Sequence, residues 1–320
     1  MNPAYAMSAP DLPDAGTLRT LLAREVAQSQ SSEAILPHLL ADTDDSLHTE
    51  ALVAQMRGLL IYLGEAVIGV LADATGEKTR EAFMARCLGP FVAGLMRCQP
   101  AIAHVHELSL EASLVRRLSD RLALDSALSP LLQDMIGDDS APIASAAMAV
   151  LAAQTRADRT MRRLELSPSE LPLEALEAVI ATAWQELDDV SEEAFHRAQQ
   201  RLLGGFDESA TRLSLFERLY ALTADRGADW LQVERAGPAL FLTGLAQSTR
   251  QSRYDIAKAC TIRSQARLAL SLRAAGFRAE PIERQCELIA LDNSPIGRLD
   301  DIGTREAEQM LQDVVEGRTQ

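Results

Sequence analysis

Lysine is almost missing from this 320-residue chain, with Lys78 and Lys258 the only two. No G-x-x-x-x-G-K-[ST] loop can be written, and the glycines form no G-x-G-x-x-G, so nucleotide-dependent phosphoryl chemistry is not expected. The four cysteines, Cys87, Cys98, Cys260 and Cys286, are too few and too scattered for a disulfide framework, and none forms a C-x-x-C. Reduced, buried thiols are the expectation. There is no G-x-S-x-G elbow and no Cys/His signature for nucleophilic catalysis. Aromatic residues make up only 4% against 47% hydrophobic. The core must therefore be built from Ala and Leu, which favours close-packed helices over strands.

Long apolar runs are absent too. The start, "MNPAYAMSAPDLPDAG", has no basic segment followed by an apolar core, so no signal peptide is expected. The most apolar stretch, "GLLIYLGEAVIGVLADA" at 58–74, falls short of the roughly 20 residues a membrane span needs and contains Glu65. An unpaired buried carboxylate is costly, so Glu65 is expected on the outer side of its helix. A cytoplasmic location without membrane insertion follows as the expectation.

A net charge of −15 opposes non-specific attraction to nucleic acid or anionic membranes, and no nucleic-acid partner is expected. The charge is uneven: residues 1–140 hold 19 acids against 10 bases, whereas 251–320 hold 11 against 10. Between 250 and 278 Asp255 is the one acid among Arg250, Arg253, Lys258, Arg263, Arg267, Arg273 and Arg278.

From Thr17 onward nearly every segment of ten or more residues has apolar positions at helical spacing, and none shows sustained alternation. The fold class read from this is all-α, a HEAT-like helical-hairpin array or superhelical bundle of about a dozen helices. "ILPHLLADTDDSLHTEALVAQM" from 35 and "LSPLLQDMIGDDSAPIASAAMAVL" from 128 each run short helix, Asp-Asp-Ser turn, longer helix. That is the order of a HEAT-like pair, in which each unit covers its neighbour's apolar face. The domain reading is a flexible start at 1–15, a helical region at 16–165 and a second at 166–320 packed on the first.

The stretch "AQTRADRTMRRLELSPSELPLEAL", 153–176, tests whether a cluster of arginines marks a ligand site. Stepping a helix from Pro142 to Leu164 by about 100° per residue puts Ile143, Ala147, Val150, Gln154, Ala157, Met161 and Leu164 on one packing stripe. Arg156, Arg159 and Arg163 fall nearly opposite, with Arg162 on the flank. Ser145, Met148 and Ala152 on that outward side imply a helix covered at its start and emerging into water near Arg156. Ser167-Pro168-Ser169-Glu170 fits a capping box, and Pro172 opens the next helix. The arginines thus read as a solvated face at a joint between helices, able to pair with Glu174 and Glu177.

That stretch, with "GFDESATRLSLFERL", "ERAGPALFLTGLA" and "ARLALSLRAAGF", resembles successive landmarks of an uncharacterised alphaproteobacterial family of helical proteins. The likeness covers roughly 145–280. It implies an all-helical, HEAT-like cytoplasmic protein and carries no catalytic residue over.

Two sets of residues hint at a metal. Glu193-x-x-His196 has the spacing of half a di-iron site, but no second copy exists. His104 and His106 in "HVHELSLE" diverge by roughly 200° on a helix, and no compact Cys/His cluster completes them. No catalytic, cofactor or metal residue is therefore assigned and no cofactor is expected. The candidate interaction surface is the basic run, Arg250, Arg253, Lys258, Arg263 and Arg267. There Arg263 and Arg267, four apart, could offer two guanidinium forks to an anionic group. The functional expectation is a non-enzymatic protein–protein interaction or regulatory module with an unidentified protein partner, homo-oligomerisation being left open. The alternative is a helical enzyme with a metal-assisted site at His104/His106 or Glu193/His196.

Overall fold

The computed structural model describes residues 14–41, 50–76, 80–188, 190–260, 266–289 and 299–315. Of the described residues 84% are helical, in fifteen α-helices and four short 3₁₀ turns with no strand, so the all-α expectation holds. Its contacts divide it into two units, residues 31–258 and residues 1–30 with 259–320. The expected boundary at 165/166 is not where the chain divides. Apolar residues from before and after it, such as Leu63 and Val179, share one core, which cutting there would open. Residues 1–13 of the expected flexible start lie outside the described residues.

Within 31–258 the central element is α2 (Glu50–Thr75), which packs on α3 (Arg80–Leu95), α4 (Gln99–Leu122) and α8 (Glu192–Gly204). Both α3 and α4 also meet α7 (Leu173–Glu186). The apolar residues of α2 occupy most of its circumference, and Leu59, Leu60, Leu63, Val67 and Ile68 are buried against Phe83, Phe91, Ile102 and Val179. Each such side chain contributes roughly 1.5–3 kcal/mol. By length and composition α2 could cross a membrane, being longer than the run at 58–74; here its apolar residues form the core. Glu65 is exposed, as expected.

A second group of helices completes this unit: α5 (Pro130–Ile136), α6 (Ala141–Arg162), α9 (Arg212–Leu222), α10 (Gly227–Trp230) and α11 (Val233–Thr249). Here α6 packs on α5 and α9, and α11 on α4, α5, α9 and α10. Trp230 is fully buried, its indole N–H donating to Thr223 Oγ1 at 3.1 Å. A Cβ on Gly244 would come within 2.7 Å of Trp230 Cβ, so glycine is what lets α11 lie against it. The first turn of α5 is held by Ser129, whose Oγ accepts from Leu132 N at 3.3 Å, with Pro130 following. A kink in α11 places Gly237 at φ +69°, a conformation open to glycine at little cost.

Of the two similar stretches, the one from 128 runs as expected from a short helix, α5, through a turn to a longer helix, α6. The one from 35 does not, because Pro37 lies inside a long helix, α1 (Ala15–Ala41), and its turn falls outside the described residues. The helix at 141–162 also departs from expectation: Ser145, Met148 and Ala152 are exposed, so its outward side is open from the start.

In the other unit, α13 (Ala266–Ala274) packs on α14 (Ala279–Ile289) and α15 (Thr304–Val315). Glu25 of α1 is buried, and its carboxylate accepts from the backbone N–H groups of Ala266 at 2.7 Å and Arg267 at 2.8 Å. It satisfies two of the N–H groups that every helix start leaves open, and a carboxylate there is favoured by the helix dipole.

Candidate binding site

The site begins with the register of α4. Pro100 stands in its first turn, so the helix runs through "HVHELSLE" and places His104, Glu107 and Glu111 on one face at i, i+3 and i+7. Arg212, the first residue of α9, follows the cap Thr211, whose Oγ1 accepts from Ser214 N. Arg253 opens the short α12 (Arg253–Ala259). These two arginines reach the glutamates of α4 from different helices.

Arg212 grips Glu111 with both terminal nitrogens, Nη1 to Oε1 at 2.6 Å and Nη2 to Oε2 at 2.8 Å, and also donates to Gln154 Oε1 at 3.0 Å. Arg253 bridges the two glutamates, Nη1 to Glu107 Oε1 at 2.5 Å and Nη2 to Glu111 Oε2 at 2.8 Å. Its remaining donors meet Thr243 Oγ1 at 3.1 Å and the Ala239 carbonyl at 3.3 Å. Two carboxylates and two guanidiniums are thereby neutralised in place, which is the condition for burying charge at tolerable cost.

Burial would raise the Glu111 carboxyl, but Arg212 and Arg253 outweigh it and hold the group well below the usual carboxylate range. Burial would lower Arg253, but Glu111 and Glu107 raise it above the ordinary arginine value. His104 is pushed down to about 3, first by burial and then by the charges of Arg212 and Arg253. It is a neutral imidazole, and its buried Nε2 has no hydrogen-bond partner among the described residues.

His104 and, of this network, Glu111, Gln154 and Arg212 floor a cleft of about 870 Å³ within residues 104–213, walled by α4, α6, the start of α9 and the segments joining them. Leu108, Val115, Ala153, Ala157, Met161 and Leu166 form its apolar side. Glu170 stands half-buried in it, raised above the usual carboxylate range by burial against the opposing effects of the Ser167 backbone N–H, Arg212 and Arg156. No family model matches the chain, and no curated protein or solved structure matches it either. Function must be read from the cleft itself.

The stretch 153–176 is more than a joint. Gln154, Ala157 and Met161, expected on the packing stripe, line the cleft, as do Arg156 and Arg162. The four arginines are exposed, as expected. Arg162 pairs with Asp158 at 2.9 Å and Arg163 with Glu165 at 4.0 Å, so these two pair locally and not across the joint with Glu174 or Glu177. Half of the expected capping box forms, on a short 3₁₀ turn: the Glu170 carboxylate takes the Ser167 N–H, whereas Ser167 Oγ accepts from Ser169 N and not from Glu170 N.

The basic run is distributed otherwise than as one open surface. Arg250 is exposed in a left-handed conformation at the end of α11. Arg253 is buried in the network, and Arg267 is buried at the start of α13. Lys258 pairs with Glu33 and, at 3.0 Å, with Asp255, and its ammonium lies 4.3 Å from the centre of the Tyr254 ring. Arg263 lies outside the described residues. The residues of the metal-assisted alternative stay apart. His106 Nδ1 lies 2.7 Å from the Tyr254 hydroxyl, whereas His104 lines the cleft. Glu193 pairs with Arg197 and His196 with Glu192 on the surface. Among the described residues no three His, Cys, Asp or Glu side chains are grouped to hold a metal ion.

Proposed function

We propose that the chain is a non-enzymatic interaction or regulatory module built on HEAT-like helical hairpins, cytoplasmic and without nucleic-acid or membrane partners, whose binding site is the cleft between α4, α6 and α9. The observation that carries this reading is the state of the charged groups on the cleft floor. Glu111 is held in its ionised form and His104 in its neutral form throughout the neutral range, with Arg253 fixed in its ionised form behind Glu111. A general acid or base works best with a pKa near the operating pH, and these groups are all displaced from it. A fixed, neutralised polar floor beneath apolar walls is instead the composition of a recognition site, and the volume lies within the usual range for one.

Ala157→Trp, which fills the cleft from the half-buried side of α6, tests this. Wild-type and variant protein, matched for helicity and thermal midpoint, are compared for the set of partners and small molecules they retain from lysate. Loss of that set on filling the cleft is the expected result. An unchanged set in the folded variant refutes the cleft as the binding site.

A further inference from the structure

We propose that the cleft is selective for an alkylammonium group on an apolar stem, the cation meeting Glu170 and a hydrogen bond closing on His104 Nε2; this rests on the cleft being the binding site. Most other carboxylates on its wall are already engaged. Glu111 is held by two arginines, Asp158 by Arg162, and Asp125 and Asp207 accept backbone N–H groups of the turns that follow them. Glu170 differs. Beyond the Ser167 N–H it has no cation within salt-bridge distance among the described residues, and it is half-buried. A carboxylate offers about four acceptor positions, and one partly withdrawn from water with no cation in contact, Arg212 and Arg156 acting on it only from beyond salt-bridge distance, favours a cationic partner.

His104 is the independent second observation. It is 7% exposed, it lines the same cleft, and its Nε2 has no partner. His104, Glu170 and Arg212 all line this one cleft. Leu108, Val115, Ala157 and Met161 then provide wall for an aliphatic stem. The free guanidiniums of the wall, Arg116 and Arg156, are exposed and hydrated, so they attract an anion less than the half-buried Glu170 attracts a cation. The net charge of −15 acts in the same direction.

An ammonium on an apolar stem occurs both as a free amine and as a lysine side chain of a protein partner. Calorimetric titration of the full chain with hexylammonium, N-acetyl-lysinamide, hexanoate and hexanol separates the cases. Tighter binding of either ammonium than of hexanoate and hexanol is expected. Hexylammonium ahead points to a free amine, and N-acetyl-lysinamide ahead to a lysine side chain. Glu170→Gln should weaken the preferred ammonium by at least about tenfold, the value of one charge-assisted contact, and leave hexanol unchanged. Hexanol or hexanoate binding as well as the ammoniums, in a manner blocked by Ala157→Trp, overturns the selectivity and leaves the cleft as a site. Binding of none of the four overturns the ammonium selectivity and leaves the cleft to be judged by the Ala157→Trp comparison, and an unaltered ammonium affinity in folded Glu170→Gln overturns the role of Glu170.

Discussion

Replacing Arg253 by methionine keeps most of the aliphatic stem and removes the guanidinium that joins Glu107 to Glu111. Both carboxylates are at least nine-tenths buried, and Arg253 is the one ion-pair partner of Glu107 among the described residues. The change therefore strands a buried charge, the circumstance in which breaking an ion pair costs about 3–5 kcal/mol. Two charge-assisted hydrogen bonds at roughly 1.5–3 kcal/mol each give about 3–6 kcal/mol, which overlaps that range. Urea unfolding followed by tryptophan fluorescence reads the correct unit, since Trp184 and Trp230, the two tryptophans of the chain, both lie in 31–258. Arg162→Met is the control: its partner Asp158 is one turn away, the arginine is largely exposed, and the expected loss is within about 0.5 kcal/mol. Adding Glu107→Gln to Arg253→Met should recover part of the loss by removing the stranded charge. A loss below about 1 kcal/mol at unchanged denaturant slope, or strict additivity in the double variant, refutes the reasoning.

Two further outcomes follow from buried polar groups. Glu25→Ala leaves two buried N–H groups at the start of α13 without their acceptor, at about 1–3 kcal/mol each; hydrogen exchange at Ala266 and Arg267 should accelerate, and unchanged protection there would discount the cap. The pH dependence has a definite sign. Because His104 titrates at about 3 in the fold and at 6.5 ordinarily, the unfolded chain binds the extra proton between those values. Stability then rises with pH across that window and is lost on acidification. Glu111, whose carboxyl is depressed, adds stability that is present above the usual carboxylate range and lost below it. His104→Gln should flatten the slope between 6.5 and about 3, and an identical slope in wild type and variant would remove the assignment.

The all-α class was legible because 3.6-residue periodicity is local, and so were the cap at Ser167 and the outward placement of Glu65. The division into units was not, because it depends on which distant faces meet: nothing in the spacing of α3 or α6 says that the one packs on α7 and the other on α9. The cleft escaped for a more specific reason. Weighed only as a metal pair, His104 and His106 look like a failed site, and Glu107 and Glu111 beside them pass unread. Reading one helix from Pro100, a first-turn residue, brings His104, Glu107 and Glu111 onto one face. Two glutamates at i and i+4 beside apolar neighbours would then have demanded cations from elsewhere in the chain.

Those cations had been noticed for the wrong quality. Arg253 belonged to a run that looked like a surface because it contained almost no acid, and local acid content says nothing about acids more than a hundred residues away on another helix. The scarcity of lysine is part of the same logic. A guanidinium offers five donors in a planar fork, enough for Arg253 to serve two carboxylates, a hydroxyl and a carbonyl at once, whereas an ammonium is a point charge with three. Lys258 shows the contrast: its ammonium sits between Glu33, Asp255 and the Tyr254 ring. A core of Ala and Leu, poor in aromatics, supplies little polar lining of its own. Arginine forks bridging helices are therefore the means by which this chain sets a polar floor under an apolar cleft, and the same lack of lysine that argued against phosphate chemistry is what such a floor requires.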